Sequence, residues 1–349
     1  MEELAIFGGE PIRKDPIYYG RQCIEQDDID AVADTLRSNY ITCGPKVEEL
    51  ERRLCEVTGA KYAVVVANGT GALHIAALAA GFKEGDEVIV SSITFAASSN
   101  CVLYCGAKPV FADIRRDTYN IDPESIKKLI TSKTKGIVAV DFTGQAVQLD
   151  EIREIARENN LILIEDAAHA IGTKYKGQPI GSIADMTCFS FHPVKTVTSG
   201  EGGAVTTNDE QLYRKLLRLR THGITRNQDE MCHPTDALWY NEMVELGYNY
   251  RTTDFQAALL CSQLNKLDRF SARRKEIVKD IKKMAEEAKV VVRNARRDGI
   301  DEAKKLQKDG EITEDELKQA ESEIQKITDK NIEEIDNILN KKEQEVMSV

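Results

Sequence analysis

Residues 62–81 read "YAVVVANGTGALHIAALAAG". "YAVVVA" is a short apolar run rich in valine, the pattern of a strand buried on both faces. "NGTG" (Asn68–Gly71) follows as a turn, and "ALHIAALAAG" as a helix that Gly81 closes. The same unit then repeats. "DEVIVSS" is a strand before the helical "FAASSNCVLYCG", and "KPVFADI" is the next strand; "GIVAVDF" and "LILIEDAA" are two more, with the helix "LDEIREIARENN" between them. From about Asp27 to Ala272, short apolar strands alternate with amphipathic helices. This predicts an α/β fold, a mainly parallel sheet with helices on both faces. Ligands of such sheets gather at the carboxyl ends of the strands, so chemistry is to be sought just after each one.

The chain has 349 residues and a formal net charge of −11, which argues against a general binder of nucleic acid or anionic membrane. The average hides a break. From Ser271 on, 79 residues carry 18 basic and 20 acidic side chains and no aromatic, His, Cys or Pro, so nearly half of this tail is charged. The eight cysteines all precede it, without a CxxC pair, and read as reduced thiols of a cytoplasmic protein. The histidines show no metal-ligand spacing, so no metal is expected. The first residues lack a basic region followed by an apolar run, and no stretch approaches a membrane span; neither a leader nor a membrane partner is expected.

Three features carry chemistry. The turn Asn68–Gly71 offers free N–H groups at the positive end of a helix, a place for phosphate. It is no P-loop, and as a dinucleotide fingerprint it fails at the third glycine position, where His74 stands. A single-phosphate cup and an ordinary strand-to-helix turn both remain. Asp166 closes the apolar run "LILIED". Buried there, its carboxylate needs a cationic or hydrogen-bonded partner. It reads either as a cap, with Glu165 as its solvated neighbour, or as the partner of a protonated ring nitrogen. Lys195 lies in "FSFHPVKTVTSGEGGAV" (Phe189–Val205), before glycine-rich backbone that can approach a ligand closely. Singly it would be a surface lysine. In chain order, a phosphate cup, an acid after a buried strand and a lysine are the contacts pyridoxal phosphate requires. Phe95, after "EVIVSSIT", is either an aromatic for that ring or part of the core.

The stretches "ITCGPKVEELE", "NGTGALHIA", "ITFAASSN", "EDAAHAIGT", "SFHPVKTVTSGEGGAVTTND" and "LGYNYRTTDFQAAL" resemble the successive motifs of the DegT/DnrJ/EryC1/StrS sugar aminotransferases. These are pyridoxal-phosphate enzymes of fold type I, and the resemblance covers about residues 1–272. "SFHPVK" and the insertion "NQDEMCHPTDALWYNEMVELGYNYR" resemble most the branch that aminates a UDP-linked 4-keto-6-deoxy-N-acetylhexosamine on the route to pseudaminic acid. By position the resemblance implies that Lys195 forms the Schiff base and Asp166 holds the ring-nitrogen proton. His169 would stand near the ring hydroxyl and Phe95 would stack on the ring. Thr70, Gly71 and Ser190 would hold the phosphate, with Asn249 reaching it from a partner subunit, which implies a homodimer. Gly71 stands where serine is usual, which removes one hydroxyl contact. The reaction implied takes an amino group from an amino acid, glutamate, and gives it to the keto sugar.

The tail from 273 has its own pattern. Ile277, Ile281, Met284, Ala288, Val291 and Ala295 step by three and four along a helix, and Leu317, Ala320, Ile324 and Ile327 resume the stepping. Between them Gly310 is a stop, and Thr313 with Glu316 a capping box. Two helices of roughly 35 residues, about 50 Å long, are expected as an antiparallel hairpin. The stretch from Lys282 to Val349, "KKMAEEAKVVVRNARRDGIDEAKKLQKDGEITEDELKQAESEIQKITDKNIEEIDNILNKKEQEVMSV", resembles the C-terminal helices of bacterial ribosome recycling factor. There Arg293, Arg296 and Arg297 would face ribosomal RNA. Gly299 departs from the alanine expected, at a cost of about 1 kcal/mol of helix stability. The two resemblances together imply a fusion near Arg273–Lys279, in which the small C-terminal domain of the aminotransferases is replaced.

Overall fold

The computed structural model describes residues 5–347 except 12, 14, 16–20, 234, 236 and 238, so the first four residues and part of the insertion lie outside the described residues. Seven strands form one sheet: β1 (Tyr62–Val66), β2 (Glu87–Ser91), β3 (Lys108–Ala112), β4 (Thr134–Val140), β5 (Ile162–Asp166), β6 (Met186–Ser190) and β7 (Gly203–Thr207). Their order is β1-β7-β6-β5-β4-β2-β3. β7 alone runs against the other six, pairing antiparallel with β1 and β6. The remaining pairs are parallel. The expectation of a mainly parallel sheet thus meets one reversed strand. The return between Ser190 and Gly203 contains no helix, and β7 comes back antiparallel beside β6.

Alternate side chains of each strand feed two cores. Ala63, Val65, Ile137 and Leu163 pack with Leu50 and Leu54 of α2 (Pro45–Thr58), with Ile152 of α6 (Leu149–Glu158) and with Leu260 of α8 (Asp254–Leu264). Val64, Val66, Val138 and Ile164 pack with Ile75 of α3 (Gly69–Ala79), Val102 of α4 (Ala96–Tyr104) and Leu216 of α7 (Glu210–Arg220). Both faces of the sheet are therefore covered, as continuous apolar strands require. α1 (Gln26–Arg37) packs on α8, and α5 (Pro123–Leu129) follows β3.

Lys266 fastens the end of this unit. It is 5% exposed and bonds Asp27 at 2.6 Å and Asp28 at 2.7 Å, the latter wholly buried. From the next residue α9 (Leu267–Lys308) runs unbroken across position 272, where the composition changes. Gly310 (φ +78°) turns the chain, and Thr313 and Glu316 make reciprocal bonds (2.7 and 3.3 Å) as α10 (Glu314–Met347) begins. Lys304–Glu321, Lys289–Asp336 and Lys282–Glu343 link the two helices, numbers falling on one as they rise on the other. The facing residues differ from the stepping expected. Met284, Val291 and Ile327 are exposed, whereas Ala285, Lys289, Ala303 and Thr328 are buried. The stepping found part of the seam, since Ile277, Ile281, Ala288, Leu317, Ala320 and Ile324 are half-buried, but it missed the small and ion-paired side chains at the centre.

Candidate active site

A cavity of about 890 Å³ opens at the carboxyl edge of the sheet, where the ends of β1, β4, β5 and β6 meet. Asn68, after β1, caps α3: its side chain accepts the N–H of Gly71 at 2.8 Å. That N–H was expected to serve a phosphate; here the cap holds it. Gly69 is required by close approach, since a Cβ there would lie 2.8 Å from Cβ of Ser190. Thr70, Gly71 and Ser190 line the same wall of the cavity. His74, which breaks the dinucleotide pattern, is buried among Tyr104, Tyr248 and Tyr250, with its Nδ1 3.0 Å from the Tyr250 hydroxyl. Tyr250 in turn lines the cavity.

Asp166 ends the central strand β5 and faces this space, 5% exposed. Ser98 Oγ donates to its Oδ2 at 2.5 Å and the Ala168 N–H to its Oδ1 at 3.2 Å. Burial pushes the carboxyl above its ordinary value, while these two donors pull the other way. Lys195 lines the same cavity, and burial holds its amine below the ordinary lysine value against the pull of the Asp166 charge. Its loop is pinned: Thr198 Oγ1 donates to the Phe191 carbonyl at 2.9 Å, and the Phe191 N–H donates to the Gly202 carbonyl at 2.8 Å. His169 is held neutral, its basicity pushed down to about 4 chiefly by burial and further by Lys195. Phe95 is 79% exposed at the cavity and so is not a core residue.

Asn249 is exposed and lies outside this cavity, bridged to Thr221. Glu165 is not solvated. It is fully buried, bonded by the Thr187 hydroxyl at 2.8 Å, and raised to about 7 by burial first. Asp141, 1% exposed, stands beside it and is also pushed up, by burial and then by the Glu165 charge. Ser98, Asp141, Thr143 and Tyr250 were missed from the sequence. Asp141 and Thr143 directly follow β4, so the strand-end rule itself could have found them. Thr143 holds a left-handed φ of +56°, a strained backbone of the kind that clusters at sites. Arg293 and Arg297 of α9 are exposed, while Arg296 turns inward and donates to Gln325 Oε1 at 2.7 Å.

The residues fit pyridoxal phosphate. Among the described residues, Asp166 is a buried carboxylate with no cation in hydrogen-bond reach, suited to a protonated ring nitrogen, and Nδ1 of His169 is buried without a partner. Gly69 lets the first turn of α3 close up against Ser190, so that both border the cavity.

Comparison with known proteins points the same way. The model of the DegT/DnrJ/EryC1/StrS aminotransferase family matches residues 22–332, through α9 and into α10. A UDP-4-amino-4,6-dideoxy-N-acetyl-beta-L-altrosamine transaminase of Campylobacter jejuni is 45% identical over 264 residues, 75% of this chain and 67% of that protein. The spore coat polysaccharide biosynthesis protein SpsC of Bacillus subtilis is 42% identical over 259 residues, 74% of this chain and 66% of its own length. Among solved structures, Helicobacter pylori PseC, an aminotransferase of pseudoaminic acid biosynthesis, superposes with a TM-score of 0.70 at 32% identity, covering 76% of this chain and 70% of that one. The pyridoxal-phosphate form of a sugar aminotransferase of Streptococcus pneumoniae gives 0.70 at 34% identity, over 76% and 71%. With its α/β architecture of fold type I and its lysine–aspartate cavity, the chain belongs to the DegT/DnrJ/EryC1/StrS family of pyridoxal-phosphate-dependent sugar aminotransferases.

Proposed function

We propose that the chain moves an amino group from an amino acid, glutamate, to the keto carbon of a UDP-linked 4-keto-6-deoxy-N-acetylhexosamine. One observation carries this reading: Lys195, Asp166 and His169 converge on one largely buried cavity at the carboxyl end of the sheet. The names of the Campylobacter and Helicobacter relatives support the sugar class. Bound pyridoxal phosphate supplies a carbonyl for amines and a ring that accepts electrons.

The chain's own residues divide the remaining work. Burial lowers the basicity of Lys195, so more of its amine is free at neutral pH to take a proton from the donor's α-carbon and return it. Asp166, its carboxylate form favoured by the Ser98 hydroxyl against the opposing effect of burial, holds a proton on the ring nitrogen. His169 offers its unpartnered Nδ1 to the ring's polar edge. Thr70 and Ser190 hold the phosphate with the first turn of α3, Gly71 shares its N–H between the phosphate and the Asn68 cap, and Phe95 closes the mouth over the ring. Asn249, outside its own cavity, serves the phosphate of a second subunit in a homodimer. The reaction is cytoplasmic, where thiols stay reduced, and all eight cysteines are unpaired.

The full chain purified with pyridoxal phosphate should show the visible band of the lysine-bound cofactor. Borohydride should fix that cofactor covalently to the protein, and Lys195→Ala should show neither. Mass spectrometry should then detect the aminated UDP-sugar. No band in either protein would sink the reading.

A second reading concerns the tail, 273–349, as a helical hairpin like that of ribosome recycling factor, joined in place of the family's small domain. The exposure of Arg293 and Arg297 favours it; Arg296, bonded to Gln325, does not. Ribosomal RNA would be the partner. Co-sedimentation of the full chain with ribosomes that survives Arg293→Ala with Arg297→Ala would exclude these contacts.

A further inference from the structure

A second cavity, of about 700 Å³, adjoins the first, and Val194 and Lys195 line both. Its other wall is the start of α9 and the segment before α1. Five cationic side chains line it (Arg21, Lys195, Arg269, Arg273 and Arg274) against two carboxylates, Glu25 and Glu276. The chain as a whole carries −11, so this excess of positive charge is local. The two carboxylates are already engaged: Glu25 pairs with Arg269 at 2.5 Å and Glu276 with Arg273 at 3.1 Å. Arg274 is half-buried between them, and no carboxylate among the described residues pairs with it. Burial alone perturbs it, with no neighbouring acid opposing that effect. A half-buried guanidinium without a counter-charge is costly, and its planar fork is shaped for a bidentate anion.

We propose that this second cavity is an anion subsite, in which Arg274, with Arg21 at the rim, binds an anionic group, remote from the reacting carbon, of a substrate whose reacting end reaches Lys195. The inference rests on the proposed aminotransferase reading for what comes to Lys195. Two groups have the required chemistry: the distal carboxylate of a dicarboxylic amino donor and the diphosphate of the nucleotide sugar. Either would place its charge in the arginine cavity and its reacting carbon in the adjoining one, with Val194 and Lys195 bordering both.

Calorimetric titration of the full chain, with and without pyridoxal phosphate, tests this using 2-oxoglutarate, uridine diphosphate and, as a singly charged control, pyruvate. One of the two dianions should bind more tightly than pyruvate, and Arg274→Ala should weaken it at least about tenfold, as loss of a charge-assisted pair does. Arg274→Lys should recover part of the loss, and Arg21→Ala, on the exposed rim, should weaken the same ligand without touching the fold. A loss confined to 2-oxoglutarate assigns the site to the donor; a loss confined to uridine diphosphate assigns it to the nucleotide. The proposal is overturned if neither dianion weakens in Arg274→Ala or Arg21→Ala, or if pyruvate weakens equally. Binding that persists without the cofactor, in a chain showing no visible band, would leave the anion site standing while the aminotransferase reading fails.

Discussion

Glu165 and Asp166 are adjacent in the sequence and end with opposite tasks. Strand alternation turns Asp166 to the cavity and Glu165 to the far side, where Thr187 and Asp141 meet it. The folded protein raises Glu165 from an ordinary 4.5 to about 7. It thus keeps a proton that the unfolded chain would release. The stability this gives is complete below the unfolded value and is lost as pH rises through about 7, a change of about 3 kcal/mol by linkage. The melting temperature of the chain should therefore fall between about pH 5 and about pH 7, and Glu165→Gln should flatten that slope. An unchanged slope in the variant would show that the proton of this coupled pair rests on Asp141 rather than on Glu165. The sequence showed Asp166 because it ends an apolar strand. It hid the task of Glu165, because which neighbour is solvated depends on the strands paired alongside, and it hid Ser98 because a helical serine carries no mark of the acid it faces.

At the scale of elements, β1 to β5 and their helices were legible as apolar runs and amphipathic periods. The reversal of β7 was not, since an apolar run has the same composition in either direction. Along the α9–α10 pair the stop at Gly310 and the capping box of α10 were legible, and the contact face in part: Ile277, Ile281 and Ile324 are half-buried as expected, but Ala285 and Lys289 lie inward where Met284 and Val291 were expected. Within that face Gly299 has open space. A Cβ there would meet only Cδ1 of Ile324, at 3.5 Å, an ordinary contact. Alanine therefore brings its helix propensity without a clash, and Gly299→Ala should stabilise the α9–α10 pair by about 1 kcal/mol. Thermal melting followed by far-UV circular dichroism measures this. A lower melting temperature would mean that α10 sits too close to accept the methyl group.

The whole molecule hangs on the passage from α8 to α9, where Lys266 bridges Asp27 and Asp28 on α1 and the long helix begins one residue later. Asp28 has no exposure; its Oδ2 accepts from Lys266, from Gln263 Nε2 at 2.8 Å and from the Glu25 N–H at 2.9 Å, and its Oδ1 has no partner among the described residues. Removing the cation leaves a buried carboxylate uncompensated, which costs about 3–5 kcal/mol, far more than an exposed ion pair. Lys266→Met keeps most of the volume and removes only the charge. It should lower the denaturant midpoint recorded by the cofactor's visible band and by helicity together, because α1, α8 and the root of α9 share this one cation. Thr313→Ala, which removes the capping box of α10, should reduce helicity while the cofactor band keeps its midpoint. If both substitutions moved both signals alike, the hairpin and the cofactor site would unfold as one unit, and the division of the chain at the start of α9 would have no energetic meaning.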